Sequence, residues 1–317
     1  MQAVFLDYAS LDQQDLDFKA LEAEFSHVER YDKTEANQVL ARIGQADVVM
    51  TNKVLLNAEI LQQCPKLKLI LISATGTNNL DLAAAKARGI VVCNCQAYGV
   101  AAVAQHCMMF MLNLATSFPQ YQQAVQQGRW QQAEQFCFLD YPIIELAGKS
   151  LGILGYGELG QATANLARAF GMKVLIGALP GRAAPDRIDF ADLLPQVDFL
   201  SLHCPLSETT RNLIAEPEFS AMKSSAFLIN CARGGIVNEA ALLKALQNKQ
   251  IAGAATDVLS VEPPRAGNIL LDAKLPNLLI SPHSAWGSVD ARQRIVAQML
   301  ENIRAYKAGQ PIRQVNP

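Results

Sequence analysis

The segment Gly155-Tyr156-Gly157-Glu158-Leu159-Gly160 has the GxGxxG spacing that can cradle a pyrophosphate. An apolar run precedes it and an Ala-rich, helix-patterned stretch follows it, so the loop opens a helix. In that setting Gly155 permits the tight turn, Gly157 lets the backbone approach the phosphates, and Gly160 lets helix and strand pack closely. The helix N-terminus adds unpaired N–H groups and a partial positive charge. The chemistry implied is dinucleotide binding, with the alternative of an ordinary glycine-rich strand–helix turn.

A dinucleotide site of this kind places an acid at the end of the next strand to receive a ribose 2′-hydroxyl. Here Ala178 occupies that place, and Arg182 follows on a Pro-Gly turn. Loss of a carboxylate with gain of a guanidinium favours a 2′-phosphate, so NADP is expected to be accepted beside or in place of NAD; Arg182 read alone is a solvated loop charge. Three further ionisable residues follow apolar runs: Arg233 after 227–230, Glu262 in Asp257-Val258-Leu259-Ser260-Val261-Glu262-Pro263-Pro264, and His283 in Ser281-Pro282-His283-Ser284-Ala285-Trp286. The carboxyl ends of parallel strands face one crevice, so these residues can meet there although far apart in sequence. Taken singly, Arg233 and Glu262 would read as a surface ion pair and His283 as a capped core histidine.

These positions require strands to carry them. Short apolar, β-branched runs at 3–7, 47–51, 67–73 and 90–94, and again at 151–154, 173–176, 199–203, 227–230, 252–256 and 278–281, read as buried strands. Helical patterns lie between them at 16–25, 80–88 and 161–170, and an amphipathic helix at 289–307 closes the series. Alternation of buried strands with helices predicts an α/β fold with doubly wound parallel sheets. An apolar helix at 100–118 and a Gln-rich exposed arm at 120–135 interrupt the alternation.

The 317 residues exceed one ordinary core and predict about two domains. A net charge of −2 gives no basic excess to hold a nucleic acid or an anionic membrane. The apolar stretch 100–118 contains Gln105, His106 and Asn113 and lacks charged flanks, which favours a buried or interface helix over a span. Seven cysteines without a CxxC pair, and four unclustered histidines, predict neither a disulfide framework nor a metal site. The first residues lack the basic start of a secretory signal, so a cytoplasmic location is expected. His106, among Met108, Met109 and Phe110, reads as a packed or interface histidine.

The glycine loop, Ala232-Arg233-Gly234, the Asp257–Glu262-Pro263-Pro264 segment and Pro282-His283-Ser284-Ala285-Trp286 occur in an order and spacing that resemble the D-isomer-specific 2-hydroxyacid dehydrogenases, most closely the glycerate dehydrogenase/hydroxypyruvate reductase branch. The resemblance spans nearly the whole chain, including Ser73-Ala74-Thr75-Gly76-Thr77-Asn78-Asn79-Leu80-Asp81. It implies a Rossmann cofactor domain at 98–287 and a discontinuous, flavodoxin-like substrate domain at 1–97 and 288–317, with the catalytic cleft between them. It also implies a homodimer built on residues 100–140.

Residue by residue, the resemblance makes Arg233 the substrate-binding arginine, whose planar fork suits a carboxylate or a keto oxygen. His283 becomes the acid/base and Glu262 its partner, since a carboxylate beside an imidazole favours the imidazolium. Ala74, Thr75 and Gly76 match a backbone turn that holds the substrate carboxylate, and Trp286 lies at the substrate mouth. On the cofactor side, Glu158 and Leu159 fall near the pyrophosphate and Thr210 near phosphate. His203, Cys204, Pro205, Cys231 and Ala232 line the nicotinamide half, and Asp257 receives the carboxamide. The implied reaction is NAD(P)H-dependent reduction of hydroxypyruvate or glyoxylate to D-glycerate or glycolate, and the reverse. D-lactate chemistry is one alternative. A dinucleotide-sensing regulator on the same fold is the other, although a sensor has no need of a proton donor.

Overall fold

The computed structural model describes residues 1–181 and 184–317. They divide into two compact units, Met1–Gly99 with Gly287–Pro317, and Val100–Trp286. Each is built on one wholly parallel sheet.

In the first unit β1 (Gln2–Phe5), β2 (His27–Arg30), β3 (Val48–Thr51), β4 (Leu69–Ile72) and β5 (Val91–Cys93) are arranged β2-β1-β3-β4-β5. This is the flavodoxin-like order, in which the winding reverses between the first and third strands. β3 and β4 are buried along their whole length, which is why they read as continuous apolar runs. β2 gave no such signal. It is an edge strand whose His-Val-Glu-Arg side chains stay largely in solvent. The helix expected at 16–25 shrinks to Lys19–Glu22. Asp12 accepts the Asp15 and Leu16 N–H groups and Asp17 accepts that of Lys19, so carboxylates compete for the donors a longer helix would use. The final helix, Val289–Lys307, is capped by the Ser288 hydroxyl, which accepts from Ala291 N–H.

In the second unit β6 (Ser150–Leu154), β7 (Lys173–Gly177), β8 (Phe199–Leu202), β9 (Phe227–Asn230), β10 (Gly253–Thr256) and β11 (Leu278–Ile280) are arranged β11-β10-β9-β8-β6-β7. The register pairs Leu154 with Leu202, Leu202 with Asn230, Asn230 with Thr256, and Thr256 with Ile280. The carboxyl ends of these strands are therefore level. The winding reverses between β6 and β8.

The helix Val100–Thr116 buries Val103, Ala104, Cys107, Met108, Phe110, Met111, Leu114 and Ala115, the three-to-four-residue spacing of one helix face. They pack with Leu151, Ile153, Phe199, Ile229 and Ala255 of the sheet and with Ala164 and Ala167 of the helix Glu158–Ala169. Each fully buried large side chain there contributes about 1.5–3 kcal/mol. Ser117, in a left-handed conformation, ends this helix, and a second one, Phe118–Gln126, leaves at 63°. The expected Gln-rich arm thus begins as a helix, started by Pro119 and pinned through Ala124. Beyond it Trp130, Phe136, Leu139 and Ile143 are exposed. No single helix among the described residues is long and apolar enough to cross a membrane.

Candidate active site

The glycine loop leaves β6 at the point where the winding of the second sheet reverses. Gly155 has φ +92°, and a Cβ there would stand 2.6 Å from Cys204 N, so only glycine lets the loop rest on the end of β8. A Cβ on Gly160 would lie 2.2 Å from Gly155 O, so the helix can pack on the loop only without one. Gly157 is different, since nothing lies within 4 Å of where its Cβ would be. The helix begins at Glu158, three residues before the expected start, with Gly157 as its cap and no side chain bonded to its first N–H groups. Open space above Gly157 and an uncapped helix end fit a pyrophosphate. Glu158 is exposed in that first turn, whereas Leu159 is half-buried against the core. Neither side chain is needed for the backbone to bind phosphate.

Read along the level edge of the sheet, the strand ends carry Ala178 after β7, the glycine loop after β6, His203-Cys204-Pro205 after β8 and Cys231-Ala232-Arg233 after β9. Asp257 and Glu262 follow β10, and His283 follows β11. At β9, Asn230 clasps its own turn: its Oδ1 accepts from Ala232 N–H and its Nδ2 donates to Arg233 O. Arg233 is exposed, with Nη1 donating to Ala232 O. A Cβ on the neighbouring Gly234 would sit 1.8 Å from Leu259 O, so the arginine turn lies directly against the segment leading to Glu262.

Glu262 is fixed at both oxygens. Oε1 accepts from Leu259 N–H at 2.7 Å, and Oε2 lies 2.6 Å from His283 Nδ1. The imidazole is partly open to solvent and sits on a residue with φ +53°, a conformation that a non-glycine residue holds only when its surroundings enforce it. Three consecutive backbone N–H groups are tied to Asp257: His283 to its main-chain O, Ser284 to Oδ1 and Ala285 to Oδ2. Trp286 Nε1 donates to His283 O and closes the turn. Arg233 and His283 follow strands two places apart, roughly 10 Å across the sheet.

His203 contrasts with His283. Its Nε2 is 2.9 Å from Ser201 Oγ, and burial pulls its pKa down to about 4, so the ring is neutral. Burial pushes the Cys204 thiol up to about 11, and a hydrogen bond with the free Cys107 thiol, together with burial, raises the Cys231 thiol well above its usual range. Both are apolar wall rather than nucleophiles. Pro205 is exposed beside them.

Two of the assigned residues are engaged within the chain. Thr210 is buried, and its hydroxyl donates to Pro205 O while accepting from Ser207 N–H, which shapes the loop after β8. Asp257 is buried with both carboxylate oxygens engaged, and its visible work is to hold the His283 turn. Its mid-helix neighbour His106, expected to be a packed or interface histidine, lies 2.9 Å from Ser281 Oγ. No sequence signal links those two, which are 175 residues apart.

At the end of β7, Ala178 is buried and its N–H donates to Ile188 O, so no carboxylate projects there. Arg182 lies outside the described residues. In the first unit, Ala74, Thr75 and Gly76 follow β4. The carbonyls of Ala74 and Thr75 accept from Cys95 N–H and Asn94 Nδ2, and a Cβ on Gly76 would meet nothing within 4 Å. Asp81 caps the next helix at Ala84 N–H, and Asn79 Nδ2 donates to Val54 O, as turn and cap residues do. Among the described residues no three His, Cys, Asp or Glu side chains are placed to hold a metal ion.

A doubly wound sheet with a glycine loop at its switch point and a Glu–His pair at the same edge defines a nicotinamide-dependent oxidoreductase of the two-sheet kind. Residues 108–285 match the model of the D-isomer specific 2-hydroxyacid dehydrogenase NAD binding domain. The chain is 44% identical over 303 residues to a glycerate dehydrogenase of Methylorubrum extorquens, covering 95% of this chain and 96% of the relative. It is 37% identical to a hydroxypyruvate reductase of Blautia hydrogenotrophica, with both chains fully covered. A solved structure from Thermus thermophilus superposes with a TM-score of 0.88 at 29% identity, covering 99% of this chain and 100% of that one. The chain belongs to the D-isomer-specific 2-hydroxyacid dehydrogenase family.

Proposed function

We propose that the protein reduces hydroxypyruvate and glyoxylate to D-glycerate and glycolate, and catalyses the reverse oxidation. The observation that carries this reading is the 2.6 Å contact between His283 Nδ1 and Glu262 Oε2, on the strand-end row that also carries Arg233 and the glycine loop. The relatives named above, a glycerate dehydrogenase and a hydroxypyruvate reductase, support the substrate class.

Gly155, Gly157 and the first N–H groups of the helix Glu158–Ala169 would hold the pyrophosphate of a nicotinamide dinucleotide, which when bound would supply or accept the hydride. Arg233 presents its guanidinium to the keto oxygen and carboxylate, which orients the carbonyl and stabilises negative charge as it develops. His283, with Nδ1 held by Glu262, turns Nε2 to the keto oxygen and gives it a proton as the carbon is reduced; in oxidation it takes that proton back. Glu262 stabilises the imidazolium and fixes its ring plane. His203 cannot substitute, because its pKa near 4 leaves it without a proton at neutral pH.

The finer assignments rest on separate observations. Acceptance of NADPH beside NADH is supported by Ala178, which leaves the end of β7 without an acid to repel a 2′-phosphate. A homodimer is supported by the exposed Phe118, Trp130, Phe136, Leu139 and Ile143 on and beyond the second helix of the pair. Seven free cysteines, six of them buried, suit a reducing cytoplasm.

The decisive experiment follows loss of reduced-nicotinamide absorbance with hydroxypyruvate, glyoxylate and pyruvate, each with NADH and NADPH. Turnover of the first two is expected, and no turnover with any pair overturns the proposal. A catalytic efficiency with NADH tenfold or more above that with NADPH overturns the cofactor part. His283→Ala is expected to lower kcat by about 10²–10⁴ with a smaller effect on cofactor affinity, and unchanged turnover would remove His283 from the chemistry.

A further inference from the structure

His106 stands in the middle of the helix Val100–Thr116, with Phe110 set edge-on against its ring at 4.6 Å between centroids. Its Nε2 reaches Ser281 Oγ at 2.9 Å. Ser281 has a single hydroxyl proton, and that O–H donates to Asp257 Oδ1 at 2.5 Å. His106 Nε2 must then be the donor into Ser281 Oγ, so a neutral ring carries its proton on Nε2. Burial favours that neutral ring over the pull of the Asp257 charge, whose Oδ1 is 3.8 Å from Nε2. The result is a directed chain of donors, His106 to Ser281 to Asp257.

Asp257 is where the chain acts. Its main-chain O, Oδ1 and Oδ2 receive the N–H groups of His283, Ser284 and Ala285 in succession. Those three bonds hold the turn that puts His283 at φ +53°. A carboxylate free to rotate about its side-chain bonds would give up one or both of the Ser284 and Ala285 bonds. The Ser281 hydroxyl, itself oriented by His106, removes that freedom.

We infer that His106 is a positioning residue for His283, acting through Ser281 and Asp257 to lock the left-handed turn that aims the imidazole. This deepens the reading of His283 as the proton carrier and rests on it. His106 touches no reacting atom, so its removal should misplace His283 slightly and leave substrate and cofactor contacts in place.

The test compares His106→Leu, which fills the space without a donor, with His106→Gln, whose side-chain amide can donate at similar reach. Both are assayed as full-length protein with hydroxypyruvate and saturating cofactor, alongside thermal melts. His106→Leu should lower kcat about tenfold with KM for the keto acid within about twofold of the parent, and His106→Gln should recover most of that loss. Ser281→Ala should match His106→Leu, and the double variant His106→Leu/Ser281→Ala should lose little more than either alone. Unchanged kcat in His106→Leu, or equal damage in His106→Gln, overturns the inference. If His106→Leu fails to fold, Ser281→Ala decides: a lowered kcat at parental Tm sustains the inference, and an unchanged kcat overturns it. His283→Ala in the same assay separates the two layers. Full activity there defeats the proton-carrier reading itself, whereas a dead His283→Ala beside an unaffected His106→Leu defeats only the positioning role.

Discussion

The two sheets reverse their winding at equivalent places, between β1 and β3 in one unit and between β6 and β8 in the other, yet the two switch points are finished differently. In the second unit Gly155 and Gly157 leave the gap open above an uncapped helix end. In the first, Asp7 ends the run from β1, and its buried carboxylate accepts from Asn52 N–H at both oxygens and from Lys53 N–H at 2.7 Å. The N–H groups that would greet an anion there already donate to the Asp7 carboxylate. Topology therefore offers a ligand site twice, and a glycine or an aspartate decides whether the site stays available. The same order of strands need not mean the same chemistry.

The sharpest way to break the comparison is to close the open switch point. Gly155→Ala would force a non-glycine residue to φ +92° and drive a Cβ to 2.6 Å from the backbone of His203 and Cys204. Nicotinamide dinucleotide affinity should fall by about 100-fold or more, followed by fluorescence titration, because the loop can no longer rest on the end of β8. Gly157→Ala adds its methyl to open space, so the protein should melt like the parent while binding the dinucleotide about tenfold more weakly. Parental affinity in Gly155→Ala would mean that the open loop is not what admits the cofactor.

The filled switch point predicts a change of stability. Asp7→Ala leaves the Asn52 and Lys53 N–H groups without their acceptor, at an expected cost of about 2–4 kcal/mol in denaturant unfolding. Asp7→Asn keeps one carbonyl oxygen and should cost less. A parental midpoint for Asp7→Ala would show that water, rather than the carboxylate, can satisfy that turn.

How much of this was legible in sequence follows from where each partner lies. Strands buried on both sides, such as β3, β4 and β8, announce themselves as apolar runs, whereas β2 carries His27, Glu29 and Arg30 on a sheet edge and does not. The glycine loop is local, so its function could be read from six adjacent residues. The early start of its helix could not, because Glu158 to Gly160 show no apolar period. Arg233, Glu262 and His283 were legible only as strand-end residues, with their roles supplied by the family resemblance. Thr210 and Asp257 were assigned by position in that pattern, but their hydrogen bonds are settled by the folded loops around them. His106 was illegible for the same reason, since its partner Ser281 is brought to it by the packing of a helix on the sheet.

The wall of the open switch point carries the smallest effect and the most specific one. His203 is held neutral beside Gly155, with a pKa of about 4 set by burial. In the unfolded chain its pKa returns to about 6.5, so between those values the unfolded state binds the extra proton. The stability of the neutral histidine is fully present above about pH 6.5 and is lost as pH falls from there toward 4; the loss reaches about 1–2 kcal/mol by about pH 5. His203→Gln removes the titration while keeping a polar partner for Ser201. It should therefore unfold with a shallower acid dependence across this window, although its stability at neutral pH is lower. If His203→Gln and the parent lose stability in parallel as the pH falls, the wall of the open site is not dry, and the neutrality that disqualifies His203 from the proton transfer would have to come from elsewhere.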